Sequence, residues 1–156
     1  MSDVSIGQPI PAFAAQSTDG EFNNNSLQGQ WTVLYFYPKD STPGCTTQAQ
    51  NFRDHIDAFK NAGCQVVGVS RDSIKSHQNF ISKQELPFAL VSDPDETLCT
   101  MFGVMKLKNM YGKQVRGIER STFLIDPQGV LQHEWRGLKV PGHVEQVLQT
   151  VTGAAQ

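Results

Sequence analysis

The feature that most constrains this chain is the apolar and β-branched run TVLYFY, from Thr32 to Tyr37. Strands buried on both faces have this composition, and they are typical of parallel sheets covered by helices. Apolar residues then recur at helical spacing, which predicts a helix over 46–61. The residues at that spacing are Ala49, Phe52, Ile56 and Phe59. A buried strand followed by an amphipathic helix indicates an α/β architecture.

The rest of the sequence continues this alternation. We predict strands over 65–69, 88–91, 122–125 and 130–135, and helices over 74–86, 95–102 and 144–151. Asp19-Gly20 predicts a hairpin turn near the N-terminus, and Asp126 to Gly129 predicts a second turn that pairs the last two strands. The pattern favours a mixed central sheet flanked by helices. At 156 residues we expect a single domain over 1–156.

Composition excludes several classes of protein. The formal charge is −2, so the basic face typical of a nucleic-acid binder is not expected. The sequence has no apolar stretch of about 20 residues, which argues against a membrane span. Three cysteines without a CxxC pair and four scattered histidines indicate neither a disulfide framework nor a metal site. Because the N-terminus also lacks the features of a secretory signal, we expect a cytoplasmic location and a reduced thiol.

Cys45 is the candidate reactive residue. It follows Thr42-Pro43-Gly44 at the junction between the first buried strand and the next helix. A helix N-terminus carries unpaired N–H groups and a partial positive charge, and both favour a thiolate over a thiol. Thr42 can place a hydroxyl near the sulfur, and Gly44 lets backbone N–H groups approach whatever Cys45 attacks. The alternative is that Cys45 is a small buried residue at the start of a helix.

Pro38, Thr42 and Cys45 form the pattern P-x-x-x-T-x-x-C, and this pattern resembles the motif of the peroxiredoxins. The longer string YFYPKDSTPGCTTQA, over 35–49, is similar to the PrxQ or bacterioferritin-comigratory-protein subgroup. The likeness continues in GVS at 68–70, LVSDP at 90–94 and RSTFLID at 120–126. The resemblance implies a thioredoxin-like fold and thiol-dependent reduction of hydroperoxides without a metal, haem or flavin.

The resemblance also implies roles for individual residues. Cys45 would be the peroxidatic thiolate, Thr42 would hydrogen-bond the peroxide oxygen and the sulfur, and Arg120 would supply a cation. Pro38 would shield the site from water, while Gly44 would belong to the substrate-binding loop. These roles suit an in-line displacement in which sulfur attacks one peroxide oxygen as the O–O bond breaks and Cys45 becomes a sulfenic acid.

The sequence departs from the subgroup at three positions. Gln48 stands where many relatives carry a Glu that helps to hold the arginine. Gln50 and Ile81 stand where the two branches of the subgroup carry a resolving cysteine. We therefore favour a one-cysteine cycle in which thioredoxin, or glutathione with glutaredoxin, reduces Cys45 directly.

The other thiols are expected to pack in the core. Cys64 opens a predicted strand, and Cys99 lies on the predicted helix over 95–102. Cys99 is the candidate resolving cysteine if resolution is internal. His77 falls on the apolar side of its predicted helix and is expected to be structural.

Two other functions stay open at this stage. One is a thiol–disulfide oxidoreductase or peroxide sensor that relays oxidation from Cys45 to a partner. The other is a holdase-like binding protein that does not use Cys45. The resemblance is compatible with a monomer or a homodimer.

Overall fold

The structure is a computed structural model that describes residues 2–154, with the side chain of Met110 excepted. The strands are β1 (Ala14–Ser17), β2 (Gly20–Asn23), β3 (Trp31–Phe36), β4 (Cys64–Ser70), β5 (Leu90–Ser92), β6 (Met105–Met110), β7 (Lys113–Ile118), β8 (Ser121–Ile125) and β9 (Leu131–Arg136). The helices are α1 (Pro43–Asp54), α2 (Ile56–Asn61), α3 (Ile74–Gln84), α4 (Thr97–Met101) and α5 (His143–Ala154), with a 3-10 helix at Asn24–Leu27. No helix in the described part of the chain is long and apolar enough to cross a membrane.

The main sheet has the order β2-β1-β5-β4-β3-β8-β9. Strand β3, an interior strand next to the central β4, pairs in parallel with β4 and antiparallel with β8. Phe36, the last residue of β3, therefore lies between Val69 of β4 and Ser121 of β8. This register brings the carboxyl ends of β3 and β4 and the start of β8 to one edge of the sheet, where ligands bind in many α/β proteins.

The sheet separates two apolar cores because successive side chains of a strand point to opposite faces. Val33 and Tyr35 of β3 pack with buried residues of α1, α2, α3 and α5 on one face. Leu34 and Phe36 pack on the other face with buried residues of α4. Burial of each such side chain contributes about 1.5–3 kcal/mol, so both faces hold β3 in place.

Most of the predicted elements are confirmed, including the hairpin at Asp19-Gly20 and the pairing of β8 with β9. The single helix predicted over 46–61 is wrong, because the chain breaks at His55 into α1 and α2. His55 Nδ1 lies 2.8 Å from the Asn51 carbonyl oxygen that its own backbone N–H would reach in a continuous helix. That N–H donates instead to Phe52, which tightens the last turn and ends α1.

A second difference is the hairpin of β6 and β7, since no strand is predicted from the sequence between Gly103 and Arg120. The two strands pair only with each other and turn at Tyr111-Gly112. Leu107 and Val115 are exposed, so the segment lacks the alternation of buried and exposed residues that identifies a strand.

Candidate active site

Cys45 is the third residue of α1 and lies at the edge of the sheet where β3 ends. Thr42 is the N-cap residue, Pro43 opens the helix, and the first helical bond runs from Thr46 N–H to the Thr42 carbonyl at 2.8 Å. Within the described residues, no side chain caps this N-terminus. The N–H groups of Gly44 and Cys45 have no partner within the helix, so they remain donors for an oxygen that approaches the sulfur.

Arg120 faces the Cys45 sulfur across this edge. It lies in the short link between β7 and β8, directly before Ser121, and the β3–β8 register places it beside the end of β3. Arg120 Nη2 lies 3.4 Å from Cys45 Sγ, while Nη1 donates to Gln48 Oε1 at 2.6 Å. A Cβ on Gly44 would lie 3.3 Å from Nη2, so glycine leaves room for the guanidinium.

Pro38 directly follows β3 and Thr42 directly precedes α1, and both residues are half-buried. Thr42 Oγ1 donates to the Lys39 carbonyl at 2.8 Å and makes no contact with Cys45 Sγ at hydrogen-bond distance. Its hydroxyl proton is therefore engaged, but its lone pairs can accept the O–H of a hydroperoxide. Cys45 itself is only 2% exposed.

A buried hydrogen-bond network, which the sequence did not predict, holds the loop before Cys45. Asp40 Oδ1 accepts from Tyr37 Oη at 2.5 Å, and Asp40 Oδ2 accepts from Ser76 Oγ at 2.8 Å and lies 2.7 Å from His77 Nδ1. Its backbone N–H donates to Asp72 at 2.9 Å. Asp40 thus connects the end of β3 to α3 and to the loop that follows β4.

His77 and Asp40 form a deeply buried pair in this network, with side chains 0% and 2% exposed. His77 Nε2 lies 2.9 Å from the Val91 carbonyl oxygen, which can only accept, so Nε2 carries a hydrogen. Burial alone would raise the pKa of the Asp40 carboxyl, but hydrogen bonds from His77 and Tyr37 outweigh it and hold that pKa below its ordinary value. The Asp40 carboxyl is therefore a strong hydrogen-bond acceptor for the side chains that surround it. The prediction that His77 is structural is confirmed.

The network brings together three atoms that could bind a metal ion. A carboxylate oxygen of Asp40, one of Asp72 and a ring nitrogen of His77 all lie within 4.8 Å of one another. These atoms are already engaged in hydrogen bonds, since Asp72 Oδ2 accepts from Ser70 Oγ at 2.6 Å as well as from Asp40. We therefore describe the cluster as a support that holds the loop before Cys45. The loop needs such support because its backbone is strained at Ser41. Ser41 has a φ of +64°, a conformation that is costly for a residue other than glycine.

The structure does not bring the other two cysteines to Cys45. Cys64 opens β4 and pairs with Trp31 at the start of β3, so it lies at the opposite edge of the sheet. Cys99 lies on α4 and packs in the core on the other face of the sheet. Burial raises the pKa of Cys64 to about 12, and burial together with the Asp93 carboxylate raises the pKa of Cys99 well above its ordinary value.

Comparison with known proteins shows the family to which this chain belongs. Residues 6–134 match the AhpC/TSA family. The peroxiredoxin Bcp of Xanthomonas campestris is 56% identical over 128 residues, which cover 82% of this chain and 80% of that protein. One solved structure of X. campestris peroxiredoxin Q has a TM-score of 0.90 and 47% identity, and the match covers 99% of this chain and 100% of that one.

A further solved structure, of the X. campestris bacterioferritin comigratory protein, concerns alkyl peroxide reduction by that protein. It has a TM-score of 0.87 and 50% identity and covers 92% of both chains. The chain belongs to the AhpC/TSA family, within its Bcp and PrxQ peroxiredoxins. It has the thioredoxin-like fold of that family and is a thiol-dependent peroxidase, which uses a hydroperoxide and a thiol reductant.

Proposed function

We propose that this peroxidase works by a one-cysteine cycle in which Cys45 is the only redox-active residue. The observation that carries the proposal is the contrast among the three thiols. Only Cys45 lies at a helix N-terminus that no side chain caps, with the Arg120 guanidinium 3.4 Å from its sulfur. Cys64 and Cys99 are buried in the apolar cores, at the opposite edge and on the opposite face of the sheet.

In the first step, the Cys45 thiolate attacks one oxygen of the hydroperoxide, and a sulfur–oxygen bond forms as the O–O bond breaks. The attacked oxygen keeps its hydrogen, and the departing oxygen takes a proton from solvent water and leaves as water or an alcohol. The sulfur loses two electrons and becomes a sulfenic acid. Arg120 and the N–H groups of Gly44 and Cys45 stabilise the negative charge that moves onto oxygen, while Thr42 accepts the O–H of the bound hydroperoxide.

The residue at position 81 supports reduction of the Cys45 sulfenic acid by an external thiol rather than by a second cysteine of the chain. Solved variants of X. campestris peroxiredoxin Q replace a cysteine at position 48 or at position 84 of that protein, a separation of 36 residues. The same separation from Cys45 reaches Ile81 on α3, so this chain lacks a thiol there. The proposed reductant is thioredoxin, or glutathione with glutaredoxin, in the cytoplasm, where such thiols are kept reduced.

The test is the intact mass of the protein after one equivalent of hydrogen peroxide, followed by trapping with dimedone. A one-cysteine enzyme gains one oxygen, and the dimedone adduct maps to Cys45. Loss of two hydrogens without an adduct would mean an internal disulfide and would overturn the proposal. The matched control replaces both Cys64 and Cys99 with Ser, and this variant is expected to retain turnover with an external thiol.

A further inference from the structure

Arg120 faces the reacting sulfur without a carboxylate partner. We infer that this unbalanced cation makes the oxidised site select thiol reductants that carry a negative group, such as a carboxylate, beside the thiol. The inference rests on the proposed one-cysteine cycle, because it concerns the external thiol that reduces the Cys45 sulfenic acid.

The first observation is the identity of the group that holds Arg120. Its Nη1 donates to the amide oxygen of Gln48, a neutral side chain that is fully buried. No carboxylate of residues 2–154 lies within the 4.0 Å salt-bridge distance of the Arg120 guanidinium. Among residues 2–154, Cys45 is the only residue in hydrogen-bond contact with the Arg120 guanidinium that can carry a negative charge.

Asp40, Glu96 and Glu119 direct their carboxylates to other groups. The Asp40 carboxylate is paired with His77. Glu96 pairs with Arg71 and Arg116. Glu119, the neighbour of Arg120 in the sequence, directs its carboxylate toward Gly137, where a Cβ would lie 3.4 Å from Oε2.

Oxidation changes the charge of the site. With the thiolate present, Arg120 and Cys45 together carry no net charge, whereas Arg120 beside the neutral sulfenic acid leaves a charge of about +1. Gly44 and Pro43 are exposed and Arg120 is half-exposed, so an incoming thiol can approach this cation. A second negative group on that thiol would be attracted as it enters the site.

The reduction is balanced by two molecules of thiol. The first thiol attacks the sulfur of the sulfenic acid, forms a mixed disulfide with Cys45 and releases the hydroxyl oxygen as water. The second attacks the mixed disulfide, restores the Cys45 thiol and leaves the two small thiols joined as a disulfide. The two thiols together supply the two electrons that the peroxide removed.

The test uses three small thiols whose thiolate forms differ in charge. These are 3-mercaptopropionate, a dianion; 2-mercaptoethanol, a monoanion; and cysteamine, a zwitterion. The rate of reduction of preformed Cys45 sulfenic acid is measured in the wild type and in Gln48→Glu, which places a carboxylate against Arg120. The ratio of wild-type to variant rates cancels the intrinsic reactivity of each thiol, and we expect it to be about tenfold larger for the dianion than for the zwitterion.

The matched control is Gln50→Glu, which adds the same charge to α1 on a side chain that contacts Gln84 rather than Arg120. Its rate ratios are expected to be nearly equal for the three thiols. Equal ratios in Gln48→Glu, or the same selectivity in Gln50→Glu, would overturn the inference.

Ionic strength tests the same point in the wild type alone, without dependence on the folding of a variant. If the local cation dominates, the rate with the dianion falls between about 20 and 200 mM salt, while the rate with the zwitterion stays constant. A rate with the dianion that rises with salt would reflect the net charge of −2 and overturn the inference. Failure of the proposed function is distinguishable, because then no sulfenic acid forms or none of the thiols reduces it.

Discussion

Cys45 and Cys99 occupy the same position in two different helices, yet their surroundings have opposite charges. Each is the third residue of its helix, α1 and α4 respectively, and each is buried, at 2% and 0% exposure. In α4, the N–H groups of Leu98 and Cys99 donate to the Asp93 carboxylate at 3.1 and 2.8 Å. In α1, no side chain takes the equivalent N–H groups, and the nearest charged group to the sulfur is Arg120.

The comparison shows that burial and helix position together do not decide whether a cysteine reacts. A carboxylate that caps α4 satisfies its free N–H groups and also places a negative charge near Cys99. Burial is the larger cause of the raised pKa of Cys99, and Asp93 adds to it. An uncapped N-terminus that faces a cation leaves the donors of α1 available to a substrate.

The largest expected effect separates the two cysteines directly. Replacing Cys45 with Ser should reduce the rate of hydroperoxide consumption by about 10³-fold or more, because the hydroxyl is a far weaker nucleophile. Cys99→Ser should leave that rate within about twofold and lower the free energy of unfolding by about 1–2 kcal/mol. Stopped-flow peroxide assays and urea denaturation measure the two quantities. If Cys99→Ser is fully folded under the assay conditions but has lost turnover, Cys99 takes part in the cycle.

The difference between these two helices was only partly predictable from the sequence. Thr42-Pro43-Gly44 identifies the start of α1, and the pattern around Cys45 identifies its chemistry. The approach of Arg120 to Cys45 spans 75 residues and depends on the β3–β8 register, which spacing alone does not reveal. The roles of Asp40 and Asp93 were missed for a related reason, since a carboxylate in a loop is usually solvated and its partners are set by tertiary packing.

The next prediction concerns the cation on the α1 side of the comparison. Arg120→Gln should lower the second-order rate constant for Cys45 oxidation by about 10²-fold, because it removes a positioned donor from the developing charge. Alkylation of Cys45 by neutral iodoacetamide should fall less, since that reaction does not need a donor to a departing oxygen. Arg53→Gln is the matched control on α1, where the cation pairs with Asp54 instead. Equal losses in both reactions would mean that Arg120 acts only through the ionisation of Cys45.

A pair of smaller changes tests the two helix N-termini against each other. Asp93→Ala should lower the free energy of unfolding by about 1–2 kcal/mol, because it leaves two buried N–H groups uncapped, while peroxidase activity stays within about twofold. Thr42→Ala should lower the free energy of unfolding by only about 0.5 kcal/mol, because its side chain caps no N–H group and makes only an exposed hydrogen bond to the Lys39 carbonyl, but it should slow peroxide reduction by about tenfold. Chemical denaturation measures the free energy of unfolding of both variants, and peroxide kinetics measure their reaction rates. A stability loss in Thr42→Ala as large as in Asp93→Ala would contradict the difference between the two helices.

The smallest expected effect reports on the charge of Arg120 without any reaction. Burial lowers the pKa of His143 to about 4, the Glu145 carboxylate opposes this decrease, and Arg120 adds to it. Because folding depresses this pKa from about 6.5, the associated stability is present above pH 6.5 and is lost as the pH falls toward 4. In Arg120→Gln the pKa of His143 should rise but stay below its ordinary value, since burial remains, and NMR titration of the His143 ring measures it. An unchanged pKa would mean that His143 does not sense the cation, and it would limit the influence of Arg120 to the groups it touches, Cys45 and Gln48.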